Sequence, residues 1–172
     1  MKKAVLLGTS HTIQRGDDQK DSFQSYIENL CKTHKVDAIA EEIDDKTISI
    51  ANTIADRFDI THKIIEPNEE EIKSLNIELE HEIFYQLMTK YEIEPYPERP
   101  YDKNMPSDVY KEYKTRLEKT YREREEEWFK RINELDTWPV LIICGASHYQ
   151  PFYDLLVSKD IHVVKEESEW GV

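Results

Sequence analysis

The chain has 172 residues, and its 36 acidic residues outnumber its 23 lysines and arginines, for a net charge of −13 at pH 7. This length is typical of one domain with a substantial core. The acidic excess argues against a nucleic-acid surface, which needs a basic face, and against docking on anionic membranes. The apolar segment of MKKAVLLGTSH is too short for a signal peptide, and no run approaches the roughly 20 apolar residues of a membrane span. We therefore expect a cytoplasmic protein.

Apolar runs and helical spacings alternate in the first part of the chain. Residues 4–7 form a continuous apolar run, which predicts a strand buried on both faces. A helix is predicted over 21–34 with Asp21 as its N-cap, then a strand over 36–42. A second helix over 44–58, with Ile48 on its apolar face, leads to a strand over 61–67. This order predicts a parallel sheet with right-handed crossovers.

The middle of the chain lacks strand-like runs. A helix is predicted over 77–91 and a proline-rich loop over 92–106. A long helix over 107–135 is capped by Ser107 or Asp108, and its main stripe consists of Tyr110, Tyr113, Leu117, Tyr121, Trp128 and Ile132. A strand over 140–144, a helix over 148–158 and a strand over 161–165 complete the pattern.

These elements predict the fold class and the domain organisation. We expect residues 1–172 to form a single three-layer α/β/α sandwich with a mainly parallel sheet. A helical insertion at about 69–135 interrupts it. The insertion is rich in tyrosine and leads back into the strand over 140–144, so we expect it to cover the site at the end of that strand.

An apolar run followed by Gly-x-x-His occurs twice, at Gly8–His11 and at Gly145–His148. Ligands of parallel sheets bind beyond the carboxyl ends of the strands, where Glu41 and Glu42 also end the second strand. The glycines permit tight turns, and the small residues beside them leave room for a ligand. If the first and fourth strands are neighbours, the two histidines face each other. The competing interpretation is that both phrases are turns whose histidines act as caps.

Two imidazoles and a carboxylate suit two kinds of chemistry. They can hold a divalent metal such as Zn, Mn, Fe or Co, with His11, His148 and Glu41 as the predicted ligands. They also suit metal-free hydrolysis, in which a histidine supported by a carboxylate deprotonates water and the second histidine stabilises the oxyanion. Because Glu41 and Glu42 point to opposite faces of a strand, the one that enters the site stays open.

The phrases GTSH, EE, REREEEWFKRI and GASH occur in an order that resembles the TraB/Tiki, ChaN and erythromycin-esterase-like superfamily. The resemblance extends from residue 4 to about residue 150. It implies that His11 and His148 are the site histidines and that Glu41 or Glu42 is the glutamate. It also implies that Arg124 with Glu125 is an Arg–acid pair, with Trp128 where Met is commoner and Ile132 keeping the apolar spacing.

The resemblance implies a hydrolase-like enzyme that cleaves an ester, peptide or phosphoester bond. Its cofactor is a divalent metal (Mn, Zn or Co) or none. The implied catalytic residues are His11, Glu41, Glu42, Arg124 and His148. The predicted substrate contacts are Thr9, Ser10, Ser147, Glu125 and Tyr149. Arg122 is the alternative to Arg124. Residues two apart on a helix point in different directions, so only one of the two arginines can enter the site. Without the resemblance, this segment predicts a solvated, salt-bridged helix.

Two other functions remain open. A ligand-binding module without turnover would use the same cleft for haem or a small anion, with Tyr149 as a candidate iron ligand. An interaction protein would bind a basic partner through its acidic insertion. The expected partners are a small-molecule or peptide substrate, with no nucleic acid and no membrane, and a homodimer is left open.

The remaining candidate residues are expected to be structural or exposed. They are His34, His62, His162, the pair Glu78 and His81, and the buried free thiols of Cys31 and Cys144.

Overall fold

The structure is a computed structural model and describes residues 1–94 and 105–172. Most of the predicted proline-rich loop, including Pro95, Pro97 and Pro100, lies outside the described residues. Pro106 directly precedes a helix.

The described residues form five strands and seven helices, and the predicted alternation of strand and helix is confirmed on both sides of the insertion. The strands are β1 (Lys3–Thr9), β2 (Ala38–Glu41), β3 (Thr61–Ile64), β4 (Val140–Gly145) and β5 (His162–Lys165). The helices are α1 (His11–Arg15), α2 (Lys20–His34), α3 (Ile50–Phe58), α4 (Glu69–Ser74), α5 (Glu80–Lys90), α6 (Ser107–Glu134) and α7 (Ala146–Ser158).

The five strands form one parallel sheet in the order β3-β2-β4-β1-β5. The first and fourth strands are therefore neighbours, with Gly8 opposite Cys144 and Thr9 opposite Gly145. β2 flanks β4 on its other side, with Glu41 opposite Ile143. This register brings the carboxyl ends of β1, β4 and β2 to one edge of the sheet.

Helices cover both faces of the sheet, which confirms the three-layer α/β/α fold. Successive strand residues point to opposite faces. One face packs against α2 and α3, with a core that includes Val5, Leu7, Phe23, Ile27, Ile39, Ile54, Leu141 and Ile143. The other packs against α7 and the last part of α6, with a core that includes Leu6, Ala40, Trp128, Ile132, Ile142, Phe152 and Leu156.

The chain divides into two compact units, one formed by Met1–Glu66 and Glu125–Val172, the other by Pro67–Arg124. The second unit corresponds to the predicted insertion, but it ends earlier, because the last part of α6 belongs to the core of the sheet. It has a core of its own, formed by Ile83, Leu87, Met88, Met105, Val109 and Tyr113. The predicted tyrosine stripe is buried there at Tyr113, whereas Tyr110 is 36% exposed.

Four of the predicted helices begin at other residues, and α5 does so at Glu80 instead of residue 77. α2 begins at Lys20 after Gln19, whose backbone is left-handed, so Asp21 lies in the first turn and is not the cap. α3 begins at Ile50 because the Ser49 side chain accepts the Asn52 N–H at 3.0 Å, and Ile48, predicted on the apolar face, is 79% exposed. α7 begins at Ala146, so His148 lies in its first turn.

Gly8 is required by the C-terminal segment of the chain, which crosses the end of β1. The Gly8 N–H donates to the Glu167 carbonyl at 2.8 Å, and the Trp170 N–H donates to the Gly8 carbonyl at 2.8 Å. A Cβ at Gly8 would lie 1.9 Å from the carbonyl oxygen of Ser168. The space beside Gly8, which the sequence predicted for a ligand, is therefore filled by the chain itself.

We expect Gly8→Ala to lower the free energy of unfolding by about 1–3 kcal/mol, because the methyl group must displace backbone. Urea denaturation measures this cost. In a chain that ends at Glu166, the same substitution is expected to cost much less, since the opposing carbonyl is gone. Equal costs in the two chains would show that another contact requires the glycine.

Candidate active site

The ends of β1, β2 and β4 bring two histidines and a glutamate together. His11 is the first residue of α1, and the Ser10 side chain caps this helix by accepting the Ile13 N–H at 3.4 Å. His148 lies in the first turn of α7, directly after β4. Glu42 is the residue that follows β2. The meeting of the two Gly-x-x-His phrases therefore follows from the strand order.

Glu42 is the centre of this cluster. Its Oε2 accepts the Gly145 N–H at 2.6 Å. Its Oε1 lies 3.5 Å from His11 Nε2 and 4.0 Å from His148 Nε2. The Glu42 side chain is only 4% exposed, whereas the His11 side chain is 44% exposed. Solvent therefore reaches the cluster on the side of His11.

His148 is oriented by a second buried carboxylate. Its Nδ1 lies 2.7 Å from Glu125 Oε1, and both side chains are buried. The Trp128 ring packs edge-on against the imidazole, with centroids 4.8 Å apart. The contact between Nδ1 and Glu125 fixes the ring so that Nε2 is the nitrogen that faces Glu42.

The ion pair shifts the pKa values of both partners. The hydrogen bond to Glu42 raises the pKa of His11 above 6.5, helped by the charges of Glu42 and Glu66 and opposed by burial and Arg15. Burial is the largest influence on Glu42 and pushes its pKa up. The hydrogen bond from His11, the charge of His148 and the Gly145 N–H together outweigh it, so the pKa falls below 4.5. An ionised Glu42 paired with a protonated His11 follows.

Glu41 lies on the opposite face of the sheet, which corrects its prediction as a ligand or base beside the histidines. Its Oε2 accepts the Ser49 hydroxyl at 2.5 Å and lies 3.0 Å from His62 Nε2. His62 Nδ1 in turn lies 3.1 Å from the Asn52 amide nitrogen. Because adjacent strand residues point apart, Glu42 joins the histidines and Glu41 forms a separate buried pair with His62.

Four of the five predicted substrate contacts make hydrogen bonds within the chain. The Thr9 hydroxyl donates to the Trp170 carbonyl at 2.8 Å, and Ser10 is a helix cap. The Tyr149 hydroxyl donates to the Glu166 carbonyl at 2.6 Å, so it is engaged with the C-terminal segment. Glu125 contacts His148, and Ser147 is exposed. For all five residues, contact with a substrate stays a prediction.

Arg124 and Arg122 belong to the second unit. The Arg124 guanidinium lies 5.7 Å from the centroid of the Tyr121 ring. The catalytic role implied for Arg124 by the resemblance stays a prediction.

The sequence did not predict the contacts that Glu125 and Gln14 make near this cluster. Glu125 was predicted to contact substrate, yet it orients His148; its i, i+3, i+7 spacing with Trp128 and Ile132 is the pattern that places all three on one helix face. Gln14 was not predicted at all, although its side chain is fully buried.

Most of the other candidate residues form pairs of their own or are buried thiols. His34 pairs with Glu166 at 3.1 Å, and Glu78 pairs with Arg116. Cys31 and Cys144 are buried free thiols, as predicted. Burial, with the charges of Glu42 and Glu125, raises the pKa of Cys144 well above 9.0, so this thiol stays protonated.

The predicted metal-ligand trio is not assembled, because Glu41 faces away from both histidines. Among residues 1–94 and 105–172, no group of three or more His, Cys, Asp or Glu side chains is placed to hold a metal ion. A divalent metal stays a prediction, and Glu42 takes the place of Glu41 in its test.

Comparison of the chain with protein-family models, curated proteins and solved structures gave no match. Within the part of the chain that the structure describes, no helix is both long and apolar enough to cross a bilayer.

We expect the His11–Glu42 pair to stabilise the fold most between about pH 4.5 and 6.5. The raised pKa of His11 gives stability that is complete below 6.5 and is lost as pH rises through the folded-state pKa. The lowered pKa of Glu42 gives stability that is present above 4.5 and is lost as pH falls through the folded-state pKa. Because His11 is half-exposed, His11→Gln should cost about 1 kcal/mol or less.

The measurement is urea denaturation of the wild type and His11→Gln at pH 5.5 and at pH 9. The difference between the two proteins should shrink at the higher pH. A difference that does not change with pH would mean that the pair does not form in solution.

Proposed function

We propose that the protein is a hydrolase-like enzyme whose active site is the cluster of His11, Glu42, Glu125 and His148. The observation that carries this proposal is the buried 2.7 Å contact between Glu125 and His148, which turns His148 Nε2 toward Glu42. A carboxylate that holds a histidine in one tautomer is the usual arrangement of a general base. The resemblance to the TraB/Tiki, ChaN and erythromycin-esterase-like superfamily supports the same function.

In this proposal, His148 deprotonates the attacking water through Nε2. Glu125 accepts the Nδ1–H and stabilises the imidazolium that forms, while the Trp128 ring restricts the orientation of the imidazole. Burial of this pair strengthens the interaction, because the local dielectric constant is low.

His11 supplies the opposite function. Its raised pKa favours the protonated form of the imidazole, which can stabilise an oxyanion or protonate a leaving group. Glu42 keeps that proton in place, and the Gly145 N–H fixes the carboxylate. The proposed base, His148, and the proposed acid, His11, thus lie on either side of Glu42 in different environments. Different environments are what allow two titratable groups to take separate acid and base roles.

A ligand-binding module without turnover is the alternative. The buried charges of Glu42 and Glu125 favour a neutral or cationic ligand over a small anion at this cluster. Tyr149 is engaged with the Glu166 carbonyl, which does not favour it as a haem ligand.

We expect His148→Ala to lower the rate of hydrolysis by about 10²–10⁴-fold, because it removes the general base. The assay is a panel of chromogenic esters, peptides and phosphoesters. The matched control is His62→Ala, which also removes a histidine paired with a buried glutamate, but on the opposite face of the sheet. This control should lose stability and keep its rate.

Equal losses of rate in the two variants would contradict the proposed site. A wild type without hydrolase activity that retains a stoichiometric ligand would favour the binding module instead.

The metal-free mechanism predicts that the activity survives a chelator, because His11 and Glu42 would then act as an ion pair. The measurement is the rate after EDTA treatment, with elemental analysis of untagged protein beside the His11→Ala/His148→Ala double variant. Loss of activity that Mn, Zn or Co restores, with about one equivalent of metal in the wild type alone, would instead establish a metal-dependent hydrolase.

A further inference from the structure

Helix α1, which carries His11, is too short to be stable by itself. It has five residues, and isolated helices shorter than about 12–15 residues are marginal in water. Its position therefore depends on contacts with the rest of the fold, and the 3.5 Å separation of His11 and Glu42 depends on that position.

Gln14 makes the buried contact between α1 and the end of β2. Its side-chain amide donates to the Glu42 carbonyl oxygen at 2.8 Å and to Glu41 Oε1 at 3.2 Å. The side chain is fully buried, so these hydrogen bonds are not exchanged with water. Gln14 and His11 are three residues apart and lie on one side of the helix.

We propose that Gln14 is a positioning residue, which holds α1 against the end of β2 so that His11 reaches the Glu42 carboxylate. One amide contacts both adjacent glutamates, the main chain of Glu42 and the side chain of Glu41, and this ties the two faces of β2 to α1. The functional meaning of this role rests on the proposed active site.

Ile13 also packs α1 into the core, but the other polar side-chain contacts around α1 do not replace the hydrogen bonds of Gln14. Arg15 pairs with Asp44 at 2.9 Å, but both side chains are at least 40% exposed, and such pairs contribute little. Ser49 also donates to Glu41, but it belongs to the cap of α3 and has no bond to α1. Ser49 therefore provides a matched control for the loss of one buried hydrogen bond to Glu41.

The charged groups that shift the pKa of His11 are Glu42, Glu66 and Arg15, and a substitution of Gln14 changes none of them. A change in that pKa after substitution of Gln14 therefore reports a change of geometry.

The experiment is an NMR titration of the His11 ring in the full chain, for the wild type, Gln14→Met and Ser49→Ala. Methionine matches the volume of glutamine and cannot donate the two hydrogen bonds. We expect the pKa of His11 to fall toward 6.5 in Gln14→Met and to stay raised in Ser49→Ala. With a substrate in hand, kcat should fall about tenfold in Gln14→Met, with KM little changed.

An unchanged pKa of His11 in Gln14→Met would overturn the proposal, and so would an equal fall in Ser49→Ala. Failure of Gln14→Met to fold while Ser49→Ala folds would also overturn it, because Gln14 would then be required by the whole fold. The titration needs no activity, so a wild type that hydrolyses nothing would refute the proposed function and leave this inference to be decided on its own.

Discussion

The position of β4 between β1 and β2 is the constraint on which the site depends. Parallel pairing with both neighbours brings three strand ends to one edge, where His11, Glu42 and His148 follow β1, β2 and β4. β4 begins at Val140, after the second unit in the sequence, so the strand that lies between β1 and β2 in space is distant from both along the chain. The backbone hydrogen bonds of the sheet thus bring together residues that are distant in sequence. These bonds do not depend on which side chains the strands carry.

Two adjacent buried glutamates, Glu41 and Glu42, pair with histidines on opposite faces of the sheet. Burying a carboxylate costs several kcal/mol unless hydrogen bonds and charges compensate it. Glu41 is compensated by Ser49, His62 and Gln14, a set that leaves it enclosed. Glu42 is compensated partly by half-exposed His11, so this carboxylate stays linked to solvent. That difference in access is the reason for placing the proposed active site at Glu42 and not at Glu41.

The two glycines of the repeated phrase serve different physical needs. Gly8 lacks a side chain because the Ser168 backbone passes across it. Gly145 has ordinary extended backbone, and a Cβ there would meet Glu42 Oε2 at 3.3 Å. The first glycine admits the C-terminal segment, and the second admits the carboxylate of the site. A shared sequence phrase therefore does not imply a shared cause.

The alternation of the longer helices with the strands, the parallel sheet and the two histidines at strand ends were determined by the sequence alone, because apolar periodicity is a local property of the chain. The short helices α1 and α4 were not predicted. The sequence also limited the carboxylate to Glu41 or Glu42, since period two sends them to opposite faces. Only the tertiary structure decided for Glu42, because strand order and the helices packed on each face are long-range. The partnership of Glu125 with His148 and the contacts of Gln14 likewise arise from packing between elements far apart in sequence.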